Sequence, residues 1–181
     1  MTLCRDKLTM GPNALYNRSL DLLNGAGVEV NPEESFRLNA EAAAYDHRDA
    51  VLAMGWYYLN GIGVEKDLDK AKSWYKKSAR HKNPRAMFSL GSIAYIERNG
   101  SDALRWFKRA VLLKHYRSIY WIGKLYWHGR GINKDRKKAM QLFSEAASKR
   151  VKEATRTLTW LNKHKCTTRR SRLSAPKRAL A

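Results

Sequence analysis

Cysteine is nearly missing: two residues in 181, Cys4 and Cys166, stand near opposite ends of the chain. Two thiols so placed make neither a disulfide framework nor a zinc site, and they point to a reducing, cytoplasmic compartment. Long apolar runs are missing too. The most apolar stretch, Ala50 to Leu59, falls well short of the about 18 residues that a membrane span needs. Residues 1–10 carry no basic end followed by an apolar block, so no secretory leader is expected. Acidic residues are scarce, with 16 Asp+Glu against 36 Lys+Arg and a formal charge of +20. The nucleophile motifs of hydrolases are absent: there is no Gly-x-Ser-x-Gly and no cysteine with a matching His. Gly61-x-Gly63 is not a phosphate loop, because no third glycine follows and no strand precedes it. The evenly spaced His47, His81 and His115 fall at helix ends, where a polar or cationic side chain is favoured, and successive helix layers would hold them too far apart to share a metal. The expectation is a chain without catalytic, metal or cofactor sites.

What is present is apolar content of 44%, with six Trp and nine Tyr, enough to build a core. The charge is unevenly spread. Residues 1–49 balance at −3, residues 50–162 at +16 and residues 163–181 at +7. An acidic start, a basic body and a wholly basic end suggest an acidic partner, although basic surface alone identifies no nucleic-acid binder.

The chain also repeats itself. Gly25-Ala26-Gly27-Val28 recurs as Gly61-Ile62-Gly63-Val64 and as Gly129-Arg130-Gly131-Ile132. Upstream, Met54-Gly55, Leu90-Gly91 and Ile122-Gly123 correspond, and downstream Asp67, Lys70 and Ala71 match Asp135, Lys138 and Ala139. In the third unit the glycine loop is replaced by the shorter Glu97-Arg98-Asn99-Gly100. Apolar residues recur at threes and fours on both sides of each loop (Ala50, Ala53, Met54, Tyr57; Ala71, Trp74, Tyr75, Ala79), which is helical spacing. The glycines end the first helix through positive φ, and Asp67 and Asp135 are placed to open the second.

Ala50, Met54-Gly55, Tyr58, Gly61-x-Gly63-Val64, Asp67, Lys70-Ala71, Trp74 and Ser78-Ala79 resemble the Sel-one-like repeat, a relative of the tetratricopeptide repeats. Ser118, Ile122-Gly123, Tyr126, Gly129-x-Gly131-Ile132, Asp135, Lys138-Ala139 and Ala146-Ala147 resemble it again. The first unit departs at Ser19, where glycine is usual, and at Leu38, where Trp is usual. The resemblance implies an all-α fold, a right-handed α-solenoid of about four helix-turn-helix repeats with a C-terminal capping helix. The expected layout is an N-terminal segment over 1–13 and repeats over 14–49, 50–85, 86–117 and 118–153. A capping helix over 154–164 and a disordered basic tail over 165–181 would follow.

In such solenoids the first helix of each pair lines a concave face. Aromatic residues at Tyr58, Trp74, Trp106 and Tyr126 fall at core positions of the repeat, whereas Trp56, Tyr57, Phe88, Tyr95, Tyr120, Trp121 and Trp127 do not. Trp56, Phe88, Ser89, Tyr120, Trp121, Lys124 and Trp127 are the expected concave contacts to a partner protein or peptide, since aromatic residues beside cations are what binding hot spots use. Packing between the repeats is the bland alternative for each. Such proteins usually serve as adaptors, so the expected function is a non-enzymatic protein-protein interaction scaffold, monomeric or weakly oligomeric, with an acidic protein or peptide partner expected from the charge. Some disulfide-rich members have been linked to β-lactam hydrolysis, but the repeats here contain no cysteine. The alternative function is polyanion or nucleic-acid binding by a convex face (Lys76-Lys77, Lys108-Arg109, Arg136-Lys137-Lys138) and by tail residues Arg169, Arg170, Arg172, Lys177 and Arg178.

Overall fold

The computed structural model describes the backbone of residues 10–173 and the side chains of residues 10–164. Among the described residues it is all-helical: α1 (Pro12–Asn24), α2 (Pro32–Ala44), α3 (Arg48–Asn60), α4 (Leu68–Arg80), α5 (Pro84–Ile96), α6 (Gly100–Leu112), α7 (Arg117–His128), α8 (Arg136–Ser148) and α9 (Lys152–Leu173). These are four helix pairs and a terminal helix, as the repeat pattern predicts. The pairs open about two residues earlier than the expected repeat boundaries, because Pro12 and Pro84, with φ already set for a helix, begin them.

Each start has a local cause. Asn31, Asp67, Asn99 and Asp135 accept through their side chains from the backbone N–H three residues on, at 3.0, 2.8, 3.2 and 2.9 Å. These bonds satisfy donors that a helix leaves unpaired. His47 does the same for α3, its Nδ1 accepting from Ala50 N–H at 3.2 Å. It therefore serves the helix that follows it, not the end of α2 as the spacing had implied.

Helix ends come in two kinds. Inside a repeat, α1, α3 and α7 stop at Gly25, Gly61 and Gly129, with φ of 71, 70 and 65°. Between repeats, the left-handed position is held by Asp46, Lys82, Lys114 and Arg150, and by Arg98 after α5. These seams close as a Schellman pair: Lys82 N–H donates to Ala79 O at 3.0 Å and Asn83 N–H to Ser78 O at 3.4 Å. Arg150 and Val151 repeat the pattern with Ala147 and Ala146.

The helices form two compact units, dividing after Ile93 within α5. In the first, α1 packs on α2, α2 on α3 and α3 on α4; in the second, α6 packs on α7, α7 on α8 and α8 on α9. Leu15, Leu38, Ala42, Ala43, Ala50, Val51 and Met54 form one core cluster. Ser19, which replaces the usual glycine, is fully buried, and its carbonyl accepts from Ser35 Oγ at 2.6 Å; that hydroxyl also meets Tyr57 Oη at 2.6 Å. The first repeat thus has both its helices, joined by a buried polar contact to the Ser19 main chain.

Two expectations need correction. Tyr58, Trp74, Trp106 and Tyr126 are only half-buried. The deepest aromatic positions belong to Tyr57, Tyr75, Phe107 and Phe143. Tyr57 continues the stripe Ala50, Met54 at helical spacing and so faces inward, while Tyr58 is turned one position off it. Second, the capping helix does not end at residue 164. No Pro or Gly interrupts residues 152–173, and α9 runs on to Leu173 through part of the stretch expected to be disordered. Residues 174–181 lie outside the described residues.

Candidate functional site

The seven expected contact residues fall in both units. In the first, Trp56 and Ser89 line a cavity of 290 Å³. Its walls come from the first helix of each successive pair: Tyr16, Leu20 and Leu23 on α1, Leu52 and Ala53 on α3, and Arg85 on α5. The i, i+3, i+4 spacing of Asp49, Leu52, Ala53 and Trp56 sets these side chains on one face of α3. Trp56 keeps 39% exposure while its ring meets Tyr57 edge-on at 5.4 Å. Behind it, burial raises the Tyr75 phenol above its ordinary value, against the Ser89 hydroxyl that hydrogen-bonds it and lowers it. Tyr16 is also raised, first by burial and then by Asp49, with Arg85 opposing. The cavity is therefore apolar with one acid and one base at its wall. Phe88 is half-buried beside Ser89 on α5.

In the second unit Tyr120, Trp121, Lys124 and Trp127 all lie on α7. Tyr120 and Trp127 meet the buried Phe143 ring at 5.5 and 6.1 Å and so help to hold α8. Trp121 is edge-on to Tyr95 at 5.2 Å, and Lys124 Nζ lies 4.1 Å from the Trp121 ring centroid. Lys124 and Tyr95 border a second cavity of 520 Å³, completed by Arg98, His128, Gly129, Arg130 and Gly131. Burial first, then Lys124, Arg130 and Lys134, hold the His128 imidazole below its ordinary value.

The first cavity's α1 wall, and Arg98, His128 and Arg130 around the second, were not among the expected contacts. The signal for Arg130 was available: it occupies the middle of a glycine loop where Ile62 stands in the second repeat. For Leu20 and Leu23 nothing local distinguished a cavity wall from core.

Cations on the second helices are largely engaged within their own repeats. Lys77 pairs with Asp46 at 2.7 Å and lies over Trp74 at 5.3 Å; Arg109 stacks on Trp106 at 4.8 Å and Lys138 on Tyr126 at 4.4 Å. Arg169, Arg170 and Arg172 lie within α9, with side chains outside the described residues; Lys177 and Arg178 lie beyond them altogether. Among the described residues no three His, Cys, Asp or Glu are grouped to hold a metal, and no helix is long and apolar enough to cross a membrane.

Comparison with known proteins agrees with this geometry. Over 164 residues the chain is 24% identical to chitin synthase regulatory factor 3 of Schizosaccharomyces pombe, covering 86% of this chain and 18% of that protein. It is 26% identical over 138 residues to a chitin synthase regulator of Saccharomyces cerevisiae, covering 69% and 20%. The chain thus spans about a fifth of the length of these curated relatives. Among solved structures, a Sel1 repeat protein from Oxalobacter formigenes superposes with a TM-score of 0.72 at 27% identity, over 80% of this chain and 60% of that one. A protective antigen of uropathogenic Escherichia coli strains also gives 0.72, at 26% identity, over 82% and 32%. The Sel1 repeat is matched four times, over residues 12–44, 48–83, 84–115 and 117–150, each match spanning one helix pair, and the chain belongs to the Sel1 repeat family.

Proposed function

We propose that the chain is a non-catalytic protein-protein interaction scaffold that seats an apolar anchor of a partner peptide in the cavity of the first unit. One observation carries this reading. Three first helices of successive repeats, α1, α3 and α5, jointly line one apolar cavity whose rim includes the exposed Trp56. A solvent-facing tryptophan beside an apolar pocket is the usual composition of a binding hot spot. Sel1 repeat proteins generally mediate contacts between proteins, and the curated relatives are named as regulators of an enzyme, which agrees with a contact role. An acidic partner would suit the charge of the repeats beyond the first, and a cytoplasmic setting suits the sparse cysteine.

The test is affinity capture with the full chain and with Trp56→Ala, followed by quantitative mass spectrometry. Trp56 is exposed and lies outside the buried core, so the variant should keep its helical content, and lose the partners retained by the unaltered chain. A well-folded Trp56→Ala chain that captures the same partners in the same amounts would reject the first-unit cavity as the contact. The polyanion alternative rests more on the terminal basic residues, since several second-helix cations, Lys77, Arg109 and Lys138 among them, already have local partners.

A further inference from the structure

The second cavity departs from what the repeat itself requires. Where the third repeat has its shortened turn, Gly131 packs directly on Arg98 O and Gly100 N, and Gly100 packs on Arg130 O, so closely that neither glycine leaves room for a Cβ. This contact brings Arg98, at a left-handed φ of 60°, and Arg130 to the rim of one cavity. Lys124 and His128, one turn apart on α7, complete it. The wall contains four nitrogen-bearing cationic or ionisable side chains and no carboxylate.

The same backbone contact exists in the first unit, where Gly63 packs on Pro32 O and Glu33 N. One shift of the numbering carries Gly63 onto Gly131 and Pro32 onto Gly100. It also carries Val30, Trp56, Asn60 and Ile62 onto Arg98, Lys124, His128 and Arg130. The fold builds this junction without any of the four charges. Their presence at one junction only is therefore not a packing requirement. It has a cost, because like charges around one cavity repel; Lys124 and Arg130 add to the burial that chiefly lowers His128. Arg130 brings a buried donor to this cavity: its Nε makes no hydrogen bond among the described residues, while its guanidinium lies over Tyr95 at 4.6 Å. A buried charged donor left unpaired is unfavourable unless something supplies the acceptor.

We propose that Arg98, Lys124, His128 and Arg130 form an anion-binding site for a phosphate group, either free inorganic phosphate or a phosphate ester carried on a partner chain. A dianion answers three permanent cations better than a single carboxylate does, and the guanidinium fork matches tetrahedral oxygens. The Tyr95 ring lines the site, and Lys124 lies over both it and the Trp121 ring. The site is separate from the apolar cavity of the first unit and does not depend on its role.

The test follows the His128 imidazole and Trp121 indole NMR signals of the full chain during titration with inorganic phosphate, N-acetyl-O-phosphoserine amide and acetate, at constant ionic strength with chloride as balance. Saturable shifts with phosphate or the ester, and none with acetate, are expected. Tighter binding of the ester assigns the group to a partner chain; equal binding assigns a free anion. The double change Arg98→Asn and Arg130→Ile removes both guanidinium groups, asparagine tolerating the left-handed φ of position 98, and should weaken binding roughly tenfold or more while helical content is kept. Arg156→Gln, at an exposed position of α9 outside the cavity lining, should leave binding unchanged. Should the double variant lose helical content, Lys124→Gln alone carries the same expectation. Equal response to acetate, no saturable response in the unaltered chain, or undiminished binding by a folded variant would overturn the site.

Discussion

At the scale of single residues, two glycines carry much of the close packing between paired helices. A Cβ on Gly55 would lie 2.6 Å from the Tyr75 ring, and one on Gly123 would lie 2.6 Å from that of Phe143. Both rings are buried, so neither can swing clear. Gly55→Ala and Gly123→Ala should each lower stability by about 1–3 kcal/mol despite the better helix propensity of alanine, as urea denaturation would measure. His128 sets a pH dependence. Its protonated ring is disfavoured in the fold, by burial first and then by Lys124, Arg130 and Lys134. As pH falls, the unfolded chain therefore takes up this proton before the folded one, and stability declines through the range below the ordinary histidine value. His128→Gln should flatten that part of the decline in thermal midpoints measured between neutral and mildly acidic pH. Phosphate in the site would act in the same direction by favouring the charged ring.

At the scale of elements, the helix pairs and their loops were legible in the sequence because their determinants are local. Gly61 and Gly129 stop helices through their own φ, and Asp67 and Asp135 open them through their own carboxylates. What was not legible depended on partners distant in the chain. Tyr57 and Tyr58 differ by one position, and only packing against Ser35 and Phe36 decides which is core. The cavity residues are chosen by which first helices lie side by side, so Trp56 was found from its departure from the repeat and Leu20 was not. Arg98 was hidden by the missing loop that displaces its register. The terminal helix illustrates the same division. Its cap role was readable, and Val151, Ala154 and Leu161 do cover α7 and α8, but its end was not. Leu161 packs with Ala139 and Phe143, so Leu161→Ala should cost about 2–4 kcal/mol in the same denaturation assay, whereas loss of residues 174–181 should change it little.

At the scale of the whole molecule, the formal charge of +20 acts on stability as well as on partners. Few acids are available to offset it, and several of those described are committed to short-range pairs such as Arg105 with Asp102 at 2.9 Å and Arg117 with Glu153 at 2.8 Å. Residual repulsion among the remaining cations opposes compaction and is screened within about 10 Å at 0.1 M salt. Thermal midpoints should therefore rise as sodium chloride is added from low ionic strength, in differential scanning fluorimetry; a flat or falling response would show that local pairing already cancels the repulsion.

The seams between repeats hold a further consequence. Asp46, Lys82, Lys114 and Arg150 close them with backbone hydrogen bonds while their side chains point to no shared task. In the second and fourth repeats, by contrast, Gly63 and Gly131 admit no other residue, because each is pressed against a neighbour's backbone. A junction that asks so little of its side chains can join any repeat to any other. Such a chain can be lengthened or shortened by whole repeats, each copy then free to carry its own chemistry, as the fourth repeat carries Lys124, His128 and Arg130 and the second carries Trp56.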